Sequence, residues 1–315
     1  MSDSSFDVVV VGEILVEVIT DAPFVSGGHA RLGVSGDALN VAAAAAAAGA
    51  RAAIVAVLTD DELGRAIAEE VEHLGVSTEL LRYRTGQQGM YLVHCDPDGE
   101  RDFSYARRGS AGSFLRADDL DESVIRSAGS VVASGIACAV SESAQATVLR
   151  ASELTERFVF DPNFRRRLTD EATATSLLAK IAPRAFVITP SFPGETSALL
   201  GGGSARDAAQ KLIGWGARAV AVTCGATGVQ LMDSDGTEAW IDAIPAPVVV
   251  DQTGAGDAYV GTLTARLVLG DSFVTAATLA AAASSLVVGG RGGTGFVPTL
   301  DQTRAHAGIS IGGGS

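Results

Sequence analysis

The stretch DQTGAGDAYVGT, residues 251–262, sets two carboxylates, Asp251 and Asp257, around three small residues, Gly254, Ala255 and Gly256. With Val248-Val249-Val250 before it, it reads as an extended run, a turn from Asp251 to Gly256, and a helix over 256–269. A helix N-terminus presents unpaired N–H groups and the positive end of the macrodipole. Gly254 and Gly256 carry no Cβ, so their backbone can approach a ligand closely, and the turn becomes an anion-binding nest. Asp257 beside that nest would place a base next to donors for developing negative charge. That arrangement suits phosphoryl transfer to an alcohol. The plainer alternative for Asp257 is an N-cap after an ordinary glycine turn.

A second constellation lies in GVSGDALNVAAAAAAAGA, residues 33–50. Gly36 and Asp37 open a helix, Asn40 follows one turn in, and a run of alanines allows very close packing behind it. Asp37 is also a good N-cap candidate. Asn40, an amide inside an alanine helix, needs hydrogen-bond partners, and sugar hydroxyls would supply them.

These residues must be positioned by a large core. The 315 residues are 47% apolar and 19% charged, which argues against disorder. Continuous apolar runs at 7–12, 52–57, 130–135, 157–161, 185–189 and 218–223 read as strands of a parallel sheet, buried on both faces. Helices are expected between them at 38–48, 61–73, 118–128, 143–153, 170–181 and 204–214, and again at 256–269 and 273–288. The fold class is therefore α/β, helices flanking a mostly parallel sheet. Residues 13–34 and 85–110 break this rhythm with alternating patterns, and Asp96-Pro97-Asp98-Gly99 marks a hairpin turn. They read as a small antiparallel flap inserted into one domain spanning 1–315, with GISIGGGS a loose tail.

The net charge of −14 disfavours nucleic acid and anionic membranes as partners. A small anionic ligand remains compatible where arginines gather, at Arg107-Arg108, Arg165-Arg166-Arg167 and Arg291. Cys95, Cys138 and Cys224 are scattered, as are His29, His73, His94 and His306, so neither set has metal-like spacing. Sparse thiols, an acidic N-terminus and no run of about 18 apolar residues point to a cytoplasmic protein.

Taken together, D-x-T-G-A-G-D-x-[FY]-x-G at 251–261 and G-x-x-x-N-V-A at 36–42 resemble the two signature regions of the ribokinase, or PfkB, family of sugar kinases. The resemblance runs from the first strand to Pro298. It implies a three-layer α/β/α sandwich with a β lid over the sugar, and an ATP-dependent kinase using Mg2+ and a monovalent cation such as K+. It also implies a homodimer through paired lids. Asp257 then matches the catalytic base, and Gly254, Ala255 and Gly256 the anion hole. Gly36, Asp37 and Asn40 match sugar-binding positions, and Asp251 and Thr253 positions that shape a cation site. Thr223, Gly225 and Gly228 look like the nucleotide turn, with Ala282 and Gly292 near the adenine wall. Two positions depart from the family pattern. Glu17 stands where many relatives have an Asp that grips sugar hydroxyls, and Glu195 survives from a magnesium-organising Asn-x-x-Glu whose Asn is Phe192 here.

FSYARRGSAGSFL at 103–115 and FDPNFRRRL at 160–168 resemble the 2-keto-3-deoxygluconate kinase branch. There Tyr91, Tyr105 and Arg107 match residues holding an acid sugar, and Arg165 one between substrate and nucleotide phosphates. A guanidinium fork suits a carboxylate or phosphate. A kinase of fructose or another neutral sugar would not need Arg107. A non-catalytic sugar-binding protein would not need Asp257. GRGGTG at 290–295 spells a dinucleotide-binding fingerprint, but follows a helix instead of a strand and has no room for a ribose-binding acid.

Overall fold

A computed structural model of the chain describes residues 6–20, 24–95 and 101–309. The hairpin turn expected at Asp96–Gly99 and most of the tail expected at 308–315 lie outside the described residues.

The architecture is the expected one, a mostly parallel sheet with helices on both faces and a smaller separate sheet. From one edge, the eight strands run Glu238–Asp242, Gly228–Asp233, Ala219–Thr223, Ala185–Ile188, Phe158–Asp161, Ser130–Ser134, Val8–Val11 and Ala52–Val55. The six from Ala219–Thr223 onward are parallel to one another and almost wholly buried, which is why they read as runs of Val, Ile, Phe and Ala. The other two extend the sheet antiparallel. The edge strand Glu238–Asp242 alternates exposed and half-buried residues, and its short Ala-Trp-Ile run between two acids is too brief to mark it in advance.

The lid is a four-stranded sheet in the order Arg31–Ser35, Leu15–Thr20, Met90–Cys95, Arg101–Ala106. Its two central strands are parallel and its outer pairs antiparallel, so the flap is mixed and not purely antiparallel as expected. Alternation puts Glu17, Tyr91 and Tyr105 in one row across it.

The expected helices appear at Asp37–Ala47, Glu62–His73, Glu142–Leu154, Glu171–Ile181, Ala205–Gly214, Ala255–Val268 and Phe273–Val287. The helix expected over 118–128 shortens to Glu122–Ser127, because Asp121 caps it by accepting the Ser123 and Val124 amides. Helices Gly135–Val140, Gly194–Leu200 and Leu300–His306 were not anticipated. Val248, Val249 and Val250, expected as an extended lead-in, join no strand and are 56%, 61% and 48% exposed.

Candidate active site

A cleft of about 550 Å³ opens between the lid and the carboxyl ends of the parallel strands. Asp161 and Thr223 line it from the last positions of their strands, where open α/β sheets place ligands. Across the cleft stand the first turns of two helices that carry both sequence constellations.

Those helices, Asp37–Ala47 and Ala255–Val268, cross in close contact because the residues between them are almost without side chains. A Cβ added at Gly261 would lie 2.2 Å from the Val41 carbonyl oxygen and 2.9 Å from the Ala44 Cβ. This approach lets Asn40 Nδ2 donate to Asp257 Oδ2 at 2.8 Å, across 217 positions of sequence. Ser35 Oγ donates to Asn40 Oδ1 at 3.2 Å and fixes the amide's orientation. The partner that Asn40 was expected to need is thus Asp257 itself.

The helix bearing Asp257 is capped by Gly254, whose φ of 80° is open to glycine at little cost. Asp257 is its third residue and not the cap, so it is free to face the cleft. Burial and the nearby Asp37 raise its pKa to about 7, against the opposing effects of the Asn40 bond and Arg165. N–H groups at a helix start lack an intrahelical acceptor; here that of Ala255 donates to the Gln252 carbonyl at 3.3 Å. Gly254, Ala255 and Gly256 all line the cleft wall beside a carboxylate poised near neutrality, and the turn's remaining N–H groups are the donors it offers there. Asp37 likewise is not a cap. Gly36 caps with φ 123°, and Asp37 accepts the Ser134 hydroxyl.

The opposite wall is acidic with one guanidinium over it. Asp161, unmarked by sequence reasoning although FDPNF was singled out, is buried, lines the cleft, and accepts the Asn163 amide at 3.1 Å. Burial first, then the charges of Glu195 and Asp257, push its pKa well up. Glu195 is raised mainly by burial while accepting the Ser191 amide at 2.8 Å and the Phe164 amide. Arg165 approaches Glu195 at 4.0 Å and is half exposed to the cleft. Of its neighbours, Arg166 pairs with Glu171 at the surface, while Arg167 donates to the Phe103 carbonyl of the lid at 2.7 Å.

On the lid, Tyr91, Phe103 and Tyr105 face the cleft, with the Phe103 and Tyr105 rings stacked at 6.0 Å. Arg107 also lines the cleft but is buried, and Nη2 donates to Glu13 Oε2 at 2.5 Å. Ser110 Oγ donates to the other Glu13 oxygen at 3.0 Å. Arg107 is therefore neither a solvated lid residue nor a free cation.

Several anticipated residues sit elsewhere. Glu17 is buried, does not line the cleft, and accepts the Tyr91 hydroxyl. Gly292 is buried against Glu17, donates its amide to Asp251 Oδ2 at 2.9 Å and does not line the cleft. Ala282 is fully buried in its helix and likewise does not line the cleft. Asp251 Oδ1 accepts both the amide and hydroxyl of Thr253, at 2.9 and 2.8 Å, which makes the pair a brace for the turn. Gly225 has open space around it, with φ 55°. Gly228 is buried, and a Cβ there would lie 2.2 Å from the Ile241 oxygen, so packing explains it. Among the described residues no cluster of three or more His, Cys, Asp or Glu side chains could hold a metal ion. No described helix is long and apolar enough to cross a membrane.

Comparison with known proteins gives these features a context. Residues 5–300 match the pfkB family of carbohydrate kinases. The chain is 33% identical over 304 residues to the 2-dehydro-3-deoxygluconokinase of Thermoproteus tenax, covering 95% of this chain and 93% of that one. It is 32% identical over 274 residues to fructokinase-1 of Zea mays, covering 83% of each. A solved structure of a candidate ribokinase II from E. coli, in complex with ATP and Mg2+, superposes with a TM-score of 0.86 at 22% identity. That match covers 96% of this chain and 99% of the other.

Proposed function

Because the chain belongs to the pfkB family of carbohydrate kinases, we propose that it transfers a phosphoryl group from ATP to 2-keto-3-deoxygluconate, giving the 6-phosphate. The observation that carries the chemistry is Asp257, its pKa raised to about 7, standing beside the Gly254–Gly256 helix start. Asp257 takes the proton of the attacking sugar hydroxyl as its oxygen bonds the γ-phosphorus and the bond from that phosphorus to the β,γ-bridging oxygen breaks, releasing ADP. The backbone donors of the turn receive the negative charge that spreads over the transferring group. Asn40 holds the Asp257 carboxylate in the orientation that leaves its other oxygen for the substrate. Arg165 is placed to meet phosphate oxygens.

Asp161 and Glu195 are the carboxylates that would hold Mg2+, a hard cation suited to oxygen donors, with phosphates and water completing its shell. An ion bound there would neutralise phosphate charge. The Asp251–Thr253 brace is the proposed place for a monovalent cation such as K+. We take the whole chain as one kinase domain carrying its lid. Leu32 and Met90, 73% and 39% exposed on the lid face opposite Tyr91, are the surface through which two lids would pair in a homodimer.

The acid-sugar assignment draws support from four arginines, Arg107, Arg165, Arg166 and Arg167, around one cleft in a chain of net charge −14. The ion pair of Arg107 with Glu13 favours a second reading, a fructokinase, because a neutralised arginine attracts a carboxylate less. ADP release with Mg-ATP separates the two across 2-keto-3-deoxygluconate, its galactonate epimer, fructose, ribose, adenosine and no sugar. Turnover on the keto-deoxy acids, with Arg107→Ala raising their KM far more than that of fructose, supports the acid sugar. Turnover on fructose alone selects the second reading.

A further inference from the structure

Glu17 lies on the central lid strand Leu15–Thr20, in the same row as residues facing the cleft, yet it is buried and does not line the cleft. One oxygen accepts the Tyr91 hydroxyl, and the backbone N–H of Gly293 donates to the carboxylate from the loop at 291–295. The fit to that loop is close, and Gly292 has a φ of 75°, a conformation that favours glycine. A Cβ at Gly292 would stand 2.0 Å from Glu17 Oε2. Thr294 Oγ1 makes a second lid contact, donating to the Val34 carbonyl at 2.7 Å.

The same loop presses on the reaction centre with its other side. A Cβ at Gly293 would lie 2.2 Å from Ser35 Oγ and 2.5 Å from Asn40 Nδ2, the nitrogen that bonds Asp257. The Gly292 amide bonds Asp251, whose other oxygen braces Thr253 at the foot of the anion-binding turn. The Gly293 carbonyl lies 2.9 Å from where a Cβ of Gly254 would be. One glycine loop thus separates a lid carboxylate from both Asn40 and the turn.

We propose that Glu17 is a positioning residue, a latch that joins the lid to the 292–294 loop and thereby sets Asn40 and the Gly254–Gly256 turn against Asp257. The inference rests on the kinase reading above, in which Asp257 and the turn carry the reaction. Its content is geometric. Close packing transmits displacement, because neighbours at van der Waals contact have no slack to absorb it. A lid held at Glu17 holds the loop, and the loop holds the two groups that orient the base and receive the charge. Glu17 contributes through length and hydrogen bonding, and its charge is not required, since a side-chain amide can accept from Gly293 while donating to the Tyr91 oxygen.

The test compares Glu17→Gln with Glu17→Asp in the full chain. Glu17→Gln keeps the reach and both hydrogen bonds, and is expected to hold kcat and sugar KM within about threefold of wild type. Glu17→Asp withdraws the carboxylate by one carbon from Gly293. It is expected to lower kcat about tenfold to a hundredfold with sugar KM within about threefold, since small misplacements of reacting groups act on the transition state. Amide hydrogen exchange, read without any substrate, should show faster exchange over 292–294 in Glu17→Asp than in wild type or Glu17→Gln. The opposite pattern, a sugar KM raised tenfold by Glu17→Gln and a harmless Glu17→Asp, overturns the latch and makes Glu17 a sugar ligand. Unchanged exchange over 292–294 in Glu17→Asp overturns it as well. Wild-type protein inert towards every sugar would instead remove the kinase reading, while the exchange comparison still decides the latch.

Discussion

Gly261→Ala adds one methyl group where the helices Asp37–Ala47 and Ala255–Val268 cross, without touching the cleft. The new Cβ would stand 2.2 Å from the Val41 oxygen, 2.9 Å from the Ala44 Cβ and 3.0 Å from the Ala45 nitrogen. Two of the three are backbone atoms of a buried helix and cannot rotate aside. Restoring ordinary contact, which begins near 3.4 Å, requires the helices to part by about 1 Å. Asn40 and Asp257 face each other across this same crossing, one turn away, joined by a single 2.8 Å bond. A 1 Å parting would break that bond and turn Asp257 away from its target, and displacements of this size cost about 10² in rate. Overpacking itself would cost about 1–3 kcal/mol of stability. The assay is steady-state ADP release at saturating ATP and sugar, with thermal unfolding alongside. The expected result is a kcat down about a hundredfold, sugar KM little changed, in a protein that still folds. A wild-type kcat, or a loss confined to KM, would refute the idea that small residues at this crossing set the geometry of the base.

Asp257→Asn keeps the shape and removes the base, so kcat should fall by about 10²–10⁴ while sugar binding, measured by calorimetry without ATP, stays near wild type. In the wild type, Asp257 must be deprotonated to act, and its pKa is raised to about 7. The kcat/KM profile should therefore climb with pH to a plateau above that value and fall tenfold per unit below it. A profile flat from pH 5.5 to 8 would remove Asp257 as the titrating base. For the assembly, sedimentation of the wild type should show a dimer, and Leu32→Asp, which places a charge on the exposed lid face, should yield monomer. A monomeric wild type would remove the lid pairing.

The parallel sheet was legible because burial on both faces leaves a simple signature, unbroken apolar runs such as DVVVVG and RFVFD. The edge strand Glu238–Asp242 carries no such signature, since one face meets water and its three apolar residues are bounded by acids at both ends. Val248–Val250 shows the converse: β-branched composition favours extended backbone but does not supply a neighbouring strand. Within the site, Asp257, Asn40 and the Gly254 turn were legible because a helix start fixes what nearby residues can do. Asp161 was missed because an aspartate ending an apolar strand looks like any loop residue until the sheet places it in the cleft. Glu17 and Gly292 were each marked, but as separate ligand contacts. That they pack against each other is a fact of tertiary structure, linking positions 275 residues apart, that neither local pattern contains.

The distance in sequence between Asn40 and Asp257 also bears on how the molecule is made. On the ribosome, the alanine helix Asp37–Ala47 emerges early, together with the strands Val8–Val11 and Ala52–Val55 that it covers. Its other face stays bare until Ala255–Val268 has been synthesised, after four-fifths of the chain. For most of translation the nascent polypeptide therefore displays a smooth apolar ridge with nothing to occupy it, the kind of surface that chaperones bind and aggregates share. The residues that allow two helices to come within a methyl group of each other in the finished enzyme leave the growing chain with a long exposure.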